Sequence, residues 1–249
     1  MINSFDDFCL WVYVIVDDYW QTMAHRFSRP GPTPVCSASA LLTMVLVGEC
    51  RGWDMETEML QNWQAHRDLF PHQPSQSRFN RRRRQLSDAF ALLRQAFVRQ
   101  LDLVAEQICI IDSLPLPVVA FQHAPRAGKE WRMHDAGYGW AASKKLSFYG
   151  YRLHLLTTRQ GLILDWALAS APVRDLPMAV ELLAPRSHLT VLGDKAYIHR
   201  TVAAELKQNQ NIILMTLPRA NQRQQLPKVF HRPFNSARFI IETVISQLV

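Results

Sequence analysis

Three acids stand out in this chain, two of them where acids are costly. Asp112 closes the apolar run Ile108-Cys109-Ile110-Ile111, and Asp194 closes Leu189-Thr190-Val191-Leu192-Gly193. Glu242 falls among Ile241, Ile245 and Leu248 at helical spacing. An unpaired buried carboxylate costs several kcal/mol, roughly 2–7 for a polar group alone. A divalent cation removes that cost, and a set made only of carboxylates suits Mg²⁺ or Mn²⁺. Two such ions about 4 Å apart can activate a water or a 3′ hydroxyl and stabilise the leaving oxygen in phosphodiester exchange. The plainer alternative is that each strand-end acid caps the turn or helix that follows.

The elements that must position these acids divide the chain near residue 106. Before that point the apolar residues recur at helical spacing: Phe8, Trp11, Val12, Ile15 and Trp20, then Leu41, Leu42, Val45 and Leu46 after a Ser37 cap. Arg29-Pro30-Gly31-Pro32-Thr33-Pro34 breaks the first two helices. A third helical pattern runs from Arg78 through Phe90, Leu93, Phe97 and Leu101. After residue 106 the pattern predicts a strand at 108–112, a hairpin of 148–156 with 162–169, and a helix that Asp175 caps. A strand at 189–194, a helix at 202–208, a strand at 212–215 and a closing helix around Glu242 follow. That order predicts a mixed α/β domain over 105–249, preceded by an all-helical domain over 1–104. Ligands in open α/β sheets gather at strand ends, so Asp112 and Asp194 are expected to share a cleft.

Charge points to the partner. The 249 residues carry 28 Lys and Arg against 21 Asp and Glu, a formal net charge of +7. Residues 1–104 hold 11 Arg and 11 acids, so the whole excess lies in the second part. Such a basic domain suits a polyanion. Four cysteines without zinc or redox spacing (Cys9, Cys36, Cys50 and Cys109) read as reduced thiols. The apolar run Phe8–Val16 is too short to span a bilayer, and acids rather than bases flank it. A cytoplasmic, nucleoid-associated protein with no membrane partner is expected.

Several segments carry a resemblance. They are Ile111-Asp112-Ser113-Leu114-Pro115-Leu116-Pro117, Ala142-Ser143-Lys144-Lys145, and Phe148-Tyr149-Gly150-Tyr151-Arg152-Leu153-His154. Gly193-Asp194-Lys195-Ala196-Tyr197 and Ile241-Glu242-Thr243-Val244-Ile245-Ser246-Gln247-Leu248 follow in the same order. Together they resemble the DDE transposases of bacterial insertion sequences, and the insertion-sequence 982 family in particular. Arg29-Pro30-Gly31-Pro32 and Ser77-Arg78-Phe79-Asn80-Arg81-Arg82 are similar as well, though less distinctive.

The resemblance implies an RNase H-like catalytic domain in which Asp112, Asp194 and Glu242 are the catalytic residues and hold two Mg²⁺ (or Mn²⁺) ions. It implies cleavage of DNA at the element's terminal inverted repeats and transfer of the freed 3′ ends to target DNA, with a homodimer a candidate form in the DNA complex. The helical first domain would bind or position the ends. Related transposases carry Tyr, two residues, Arg, three residues, Glu, six residues, Lys in the last helix. Arg238 and Glu242 fit, whereas Asn235 and Val249 replace the Tyr and the Lys. The chain stops inside that helix, so a C-terminal truncation is expected, and a catalytically inactive DNA-binding remnant is the alternative function.

The remaining candidates are cationic. Arg81, Arg82, Arg83 and Arg84 either grip phosphates or form a solvated helix face. Lys144 and Lys145 precede the hairpin strand, where the resemblance places them by the active site against the DNA backbone. Arg152 and His154 share a strand face from which they could reach the scissile phosphate; a lone strand histidine can equally be structural. Lys195 follows Asp194 directly. Arg238 lies one helical turn before Glu242 and either pairs with that acid or contacts DNA.

Overall fold

The computed structural model describes residues 2–28, 30–101, 107–141, 145–216 and 228–248, without the side chains of 228–231 and 233. It divides into two compact units, Met1–Leu101 and Asp102–Val249.

The first unit is helical: α1 (Phe5–Met23), α2 (Ala38–Cys50), α3 (Glu56–Gln64), α4 (Gln76–Gln85) and α5 (Ser87–Gln100). Ser4 and Ser37 cap α1 and α2, each accepting a backbone N–H three residues on, from Asp7 and Ala40 at 3.0 Å. Helix α2 is apolar on nearly every side and buries Leu41, Leu42, Met44, Val45 and Val47. Its neighbours wrap it with Val16, Met59, Trp63, Phe79 and Leu93. The Trp63 indole N–H donates to the Met44 carbonyl at 3.1 Å, so this buried polar atom is satisfied. Helix α3 adds a helix that the sequence reading did not contain, and the third helical pattern is two helices. Leu86, at φ −101° and ψ 12°, breaks it, and the Leu86 side chain enters the core.

The second unit is a mixed sheet: β1 (Ile108–Val119), α6 (Lys129–Met133), β2 (Gly137–Ala141), β3 (Leu146–Thr158), β4 (Ile163–Ser170), α7 (Asp175–Leu183), β5 (Thr190–Gly193), α8 (Arg200–Gln210), β6 (Ile213–Thr216) and α9 (Lys228–Gln247). The strand order is β2-β3-β1-β5-β6. Strand β3 pairs antiparallel with β1, β2 and β4, and β5 runs parallel to β1 and β6. Strands β2 and β4 meet successive stretches of β3, at 146–150 and 151–157. This mixed α/β arrangement is consistent with an RNase H-like domain.

Strand β1 does not end at Asp112. It continues to Val119 through Pro115 and Pro117, which face Arg152 and Gly150 of β3. The reason lies on its other edge: β5 pairs with β1 only at 108–110. Beyond that point β1 has one ladder to satisfy, and an edge tolerates proline. The same edge gives Asp112 room. Alternation along β1 sends Ile110, Leu114 and Leu116 into a core with Phe234, Ala237 and Ile241 of α9. Asp112 keeps that phase and faces α9. Ser113 takes the opposite face, toward α7.

Candidate active site

Strands β1 and β5 pair as far as Ile110 and Leu192, so Asp112 and Asp194 each follow the paired stretch by two residues, and Asp112 feels the Asp194 charge. Asp194 follows the last residue of β5 and caps the short 3₁₀ turn Lys195–Tyr197, its Oδ1 accepting from Ala196 N at 2.7 Å. Capping and a catalytic task are compatible here, since the carboxylate keeps a second oxygen.

Helix α9 supplies the rest. An Arg238 Nη lies 3.6 Å from Asp112 and 3.8 Å from Glu242 one turn on. Its guanidinium therefore bridges the strand acid and the helix acid. Burial pushes the Asp112 carboxyl up to about 6, against the pull of the Ser113 N–H and Arg238; Asp194 and Asp175 add to the rise. A carboxylate that burial and two neighbouring acids strain in this way is a cation's natural ligand. Glu242 is more open, with 56% of its side chain exposed.

The donor chemistry of Asp112, Asp194 and Glu242 fits Mg²⁺ or Mn²⁺ in kind. Among the described residues, however, no three His, Cys, Asp or Glu side chains stand close enough to hold one ion. Arg238 fills the space between Asp112 and Glu242. It supplies the positive charge there.

Behind Asp112, on the α7 face of the sheet, lies a cluster that sequence reasoning missed. Asp175 was expected to cap its helix, but Arg174 is the N-cap and Asp175 the first helical residue. Asp175 Oδ1 accepts from Ser113 Oγ at 2.7 Å. The same oxygen lies 3.6 Å from the Arg152 guanidinium and 3.7 Å from His154 Nδ1. The signal was present in alternation: Ser113 on β1 pairs directly with His154 on β3. What sequence could not show was α7 folding its first turn onto that pair. Tyr197 closes the cluster; burial and the charges of Asp175, Asp112 and Asp194 drive its hydroxyl well above the ordinary range.

The cationic candidates scatter. Arg152 also donates to the Trp140 carbonyl at 3.1 Å and remains partly exposed. His154 shares its face but has no exposed surface. Burial lowers its pKa more than Asp175 raises it, and neither ring nitrogen has a hydrogen-bond partner among the described residues. Lys195 is exposed beside Asp194, and Lys145 is exposed at the start of β3. Lys144 lies outside the described residues, as does Arg29. In α4, Arg81 and Arg84 are exposed and Arg82 half-buried. Arg83 pairs with Glu49 at 2.9 Å and Glu56 at 3.7 Å, so it ties α4 to α2 and α3.

No helix among the described residues is long and apolar enough to cross a membrane. No curated protein and no solved structure matches the chain. The family model described as "Transposase DDE domain" matches residues 104–249, more than half of the chain and the part that holds all three acids. With that match over its sheet unit, the chain belongs to the DDE transposase family.

Proposed function

We propose that this protein cleaves DNA strands at the ends of a mobile element and joins the freed 3′ hydroxyls to target DNA, as a transposase of the insertion-sequence 982 type. The observation that carries this is Asp112: a largely buried mid-strand carboxylate pushed up to about 6, near enough to Asp194 to feel its charge and bridged by Arg238 to Glu242. The order of the sequence motifs supports the narrower family.

Asp112, Asp194 and Glu242 would hold two divalent cations. When bound, these supply Lewis acidity and a nucleophile deprotonated near neutral pH. The chain's own residues do the rest. Ser113 N–H, at 2.8 Å from Asp112 Oδ1, and the Ala196 N–H fix the two strand carboxylates in orientation. Arg238 neutralises the Asp112–Glu242 pair and must leave that position for a cation to span it. It then becomes free to meet a phosphate. Arg152, Lys195 and Lys145 offer positive charge to the DNA backbone around the acids, and Lys144 belongs to the same proposal. In the helical unit, Arg81, Arg82 and Arg84 are the candidates for phosphate contact, while Arg83 has acidic partners already. That unit would position the element's ends.

The test is nicking of supercoiled plasmid carrying the element's ends in Mn²⁺, wild type beside Asp112→Asn. The wild type should nick, and the variant should lose about 1000-fold or more while still retarding the DNA in a gel. Equal nicking by both would overturn the reading. DNA binding without nicking by either would make the protein a DNA-binding remnant.

A further inference from the structure

Strand β2 inverts the usual use of a sheet edge. Its sequence is Gly137-Tyr138-Gly139-Trp140-Ala141, and alternation buries Ala141 while the two rings point outward. A Cβ on Gly139 would come within 2.6 Å of the Phe148 ring and 2.8 Å of Ala171, so only glycine lets β2 close onto β3 there. Tyr138 and Trp140 are in consequence 51% and 54% exposed. Burying either ring would contribute about 1.5–3 kcal/mol, so an edge that shows them to solvent is not optimised for folding alone.

These rings line a groove of about 580 Å³ with Phe121, Arg152, Arg174 and Asp175. That size lies in the range of small-ligand clefts, about 300–1,000 Å³. Phe121 and Tyr138 pack edge to face at 5.7 Å, and Tyr138 and Tyr149 at 5.0 Å, which fixes them as a wall. Among the described residues, Trp140 stacks on no other ring. Its indole is the open surface. Arg152 is held at the groove by the Trp140 carbonyl and Asp175, and Arg174 is exposed beside them. With two guanidiniums against one carboxylate, the groove carries a positive excess.

We propose that this groove holds one unpaired nucleotide of the DNA strand, its base stacked on Trp140 and its phosphate on Arg174 and Arg152. Flat rings beside arginine are the recognition chemistry of unpaired bases, since every base has a stacking face and every nucleotide a phosphate. The location supports it. Ala196, two residues after Asp194, also lines the groove. Asp175 reaches from the groove to Ser113, next to Asp112. The groove opens on the α7 face, opposite the face that Asp112 turns to α9, and comes nearest the acids at the turn after Asp194. This proposal rests on the reading that DNA is the substrate.

The test uses the whole chain and two duplexes, one fully paired and one with a single unpaired 2-aminopurine. The wild type should bind the second about tenfold more tightly, the size of one base–aromatic stack, and quench its fluorescence. Trp140→Ala should lose both the preference and the quenching yet still bind the paired duplex, and Trp140→Phe should restore much of both. Circular dichroism checks that each variant is folded. Equal binding of the two duplexes by the wild type, or undiminished quenching by folded Trp140→Ala, would overturn the proposal alone. A change in oligomeric state with Trp140→Ala, without loss of base preference, would also overturn it and make the rings a self-association surface. Failure to bind either duplex would remove this proposal and the DNA reading together.

Discussion

The two units use buried polarity in opposite ways. In Met1–Leu101 the core is apolar, and its fully buried polar side chains are small: Ser39, whose hydroxyl donates to Asp17 at 2.6 Å, and Thr43. Its charged pairs, such as Arg83 with Glu49, lie at the rim. The sheet unit instead drives a carboxylate and a histidine toward its interior, on opposite faces of the sheet. Asp112 faces α9 and an arginine, while His154 lies on the α7 side beside Asp175. A fold that wanted only stability would have apolar residues at both places. The difference teaches where to look: groups that burial strains mark the unit that the transposase domain covers.

The comparison can be broken by substitution. Trp63→Ala, in the apolar core of the helical unit, should cost about 3–5 kcal/mol by urea denaturation. A loss under about 1 kcal/mol would show that this core is not close-packed. Asp175→Ala should cost less, about 1–3 kcal/mol, because Ser113 and Arg152 lose a shared acceptor. Its strand nicking should fall further than its stability explains. If nicking is unchanged, the α7 cluster is purely structural.

A pH titration sharpens the same contrast. The neutral, buried His154 has a lowered pKa, so the unfolded chain takes up a proton before the folded one does. Its contribution is complete above about 6.5 and is lost as pH falls through the folded value. Asp112, raised to about 6, gains stability over the same range, so the His154 share is read as a difference: below about 6.5 the wild type should lose melting temperature relative to His154→Gln. Parallel curves for the two proteins would place the ring in a wetter site. Smallest of all, Arg83→Ala should cost under about 1 kcal/mol, and less in high salt, since its pairs are half-exposed. A larger, salt-independent loss would mean that the rim pairs carry the helical unit.

Much of this was legible in the chain. Ser37 read as a cap because a hydroxyl before an apolar helical run has a backbone N–H to accept, and Ala40 provides it. The apolar runs ahead of Asp112 and Asp194 each read as a buried strand for the same kind of local reason. Strand β2 did not: five residues with two glycines hold too little apolar pattern, and β3 supplies what stabilises them. Asp175 misled because a first-turn acid fits a cap equally well from sequence.

What the sequence by itself determined, then, is which residues are able to do chemistry and which local element holds each, since hydrophobic period and capping act over a few neighbours. The tertiary structure alone decided the pairings. The parallel pairing of β1 with β5 brings the ends of both runs together, and α9 lays Arg238 between Asp112 and Glu242. Helix α7 folds Asp175 onto Ser113 across 62 residues. No local propensity encodes such contacts; they follow from burying whole faces of elements at once, which fixes every side chain on those faces together.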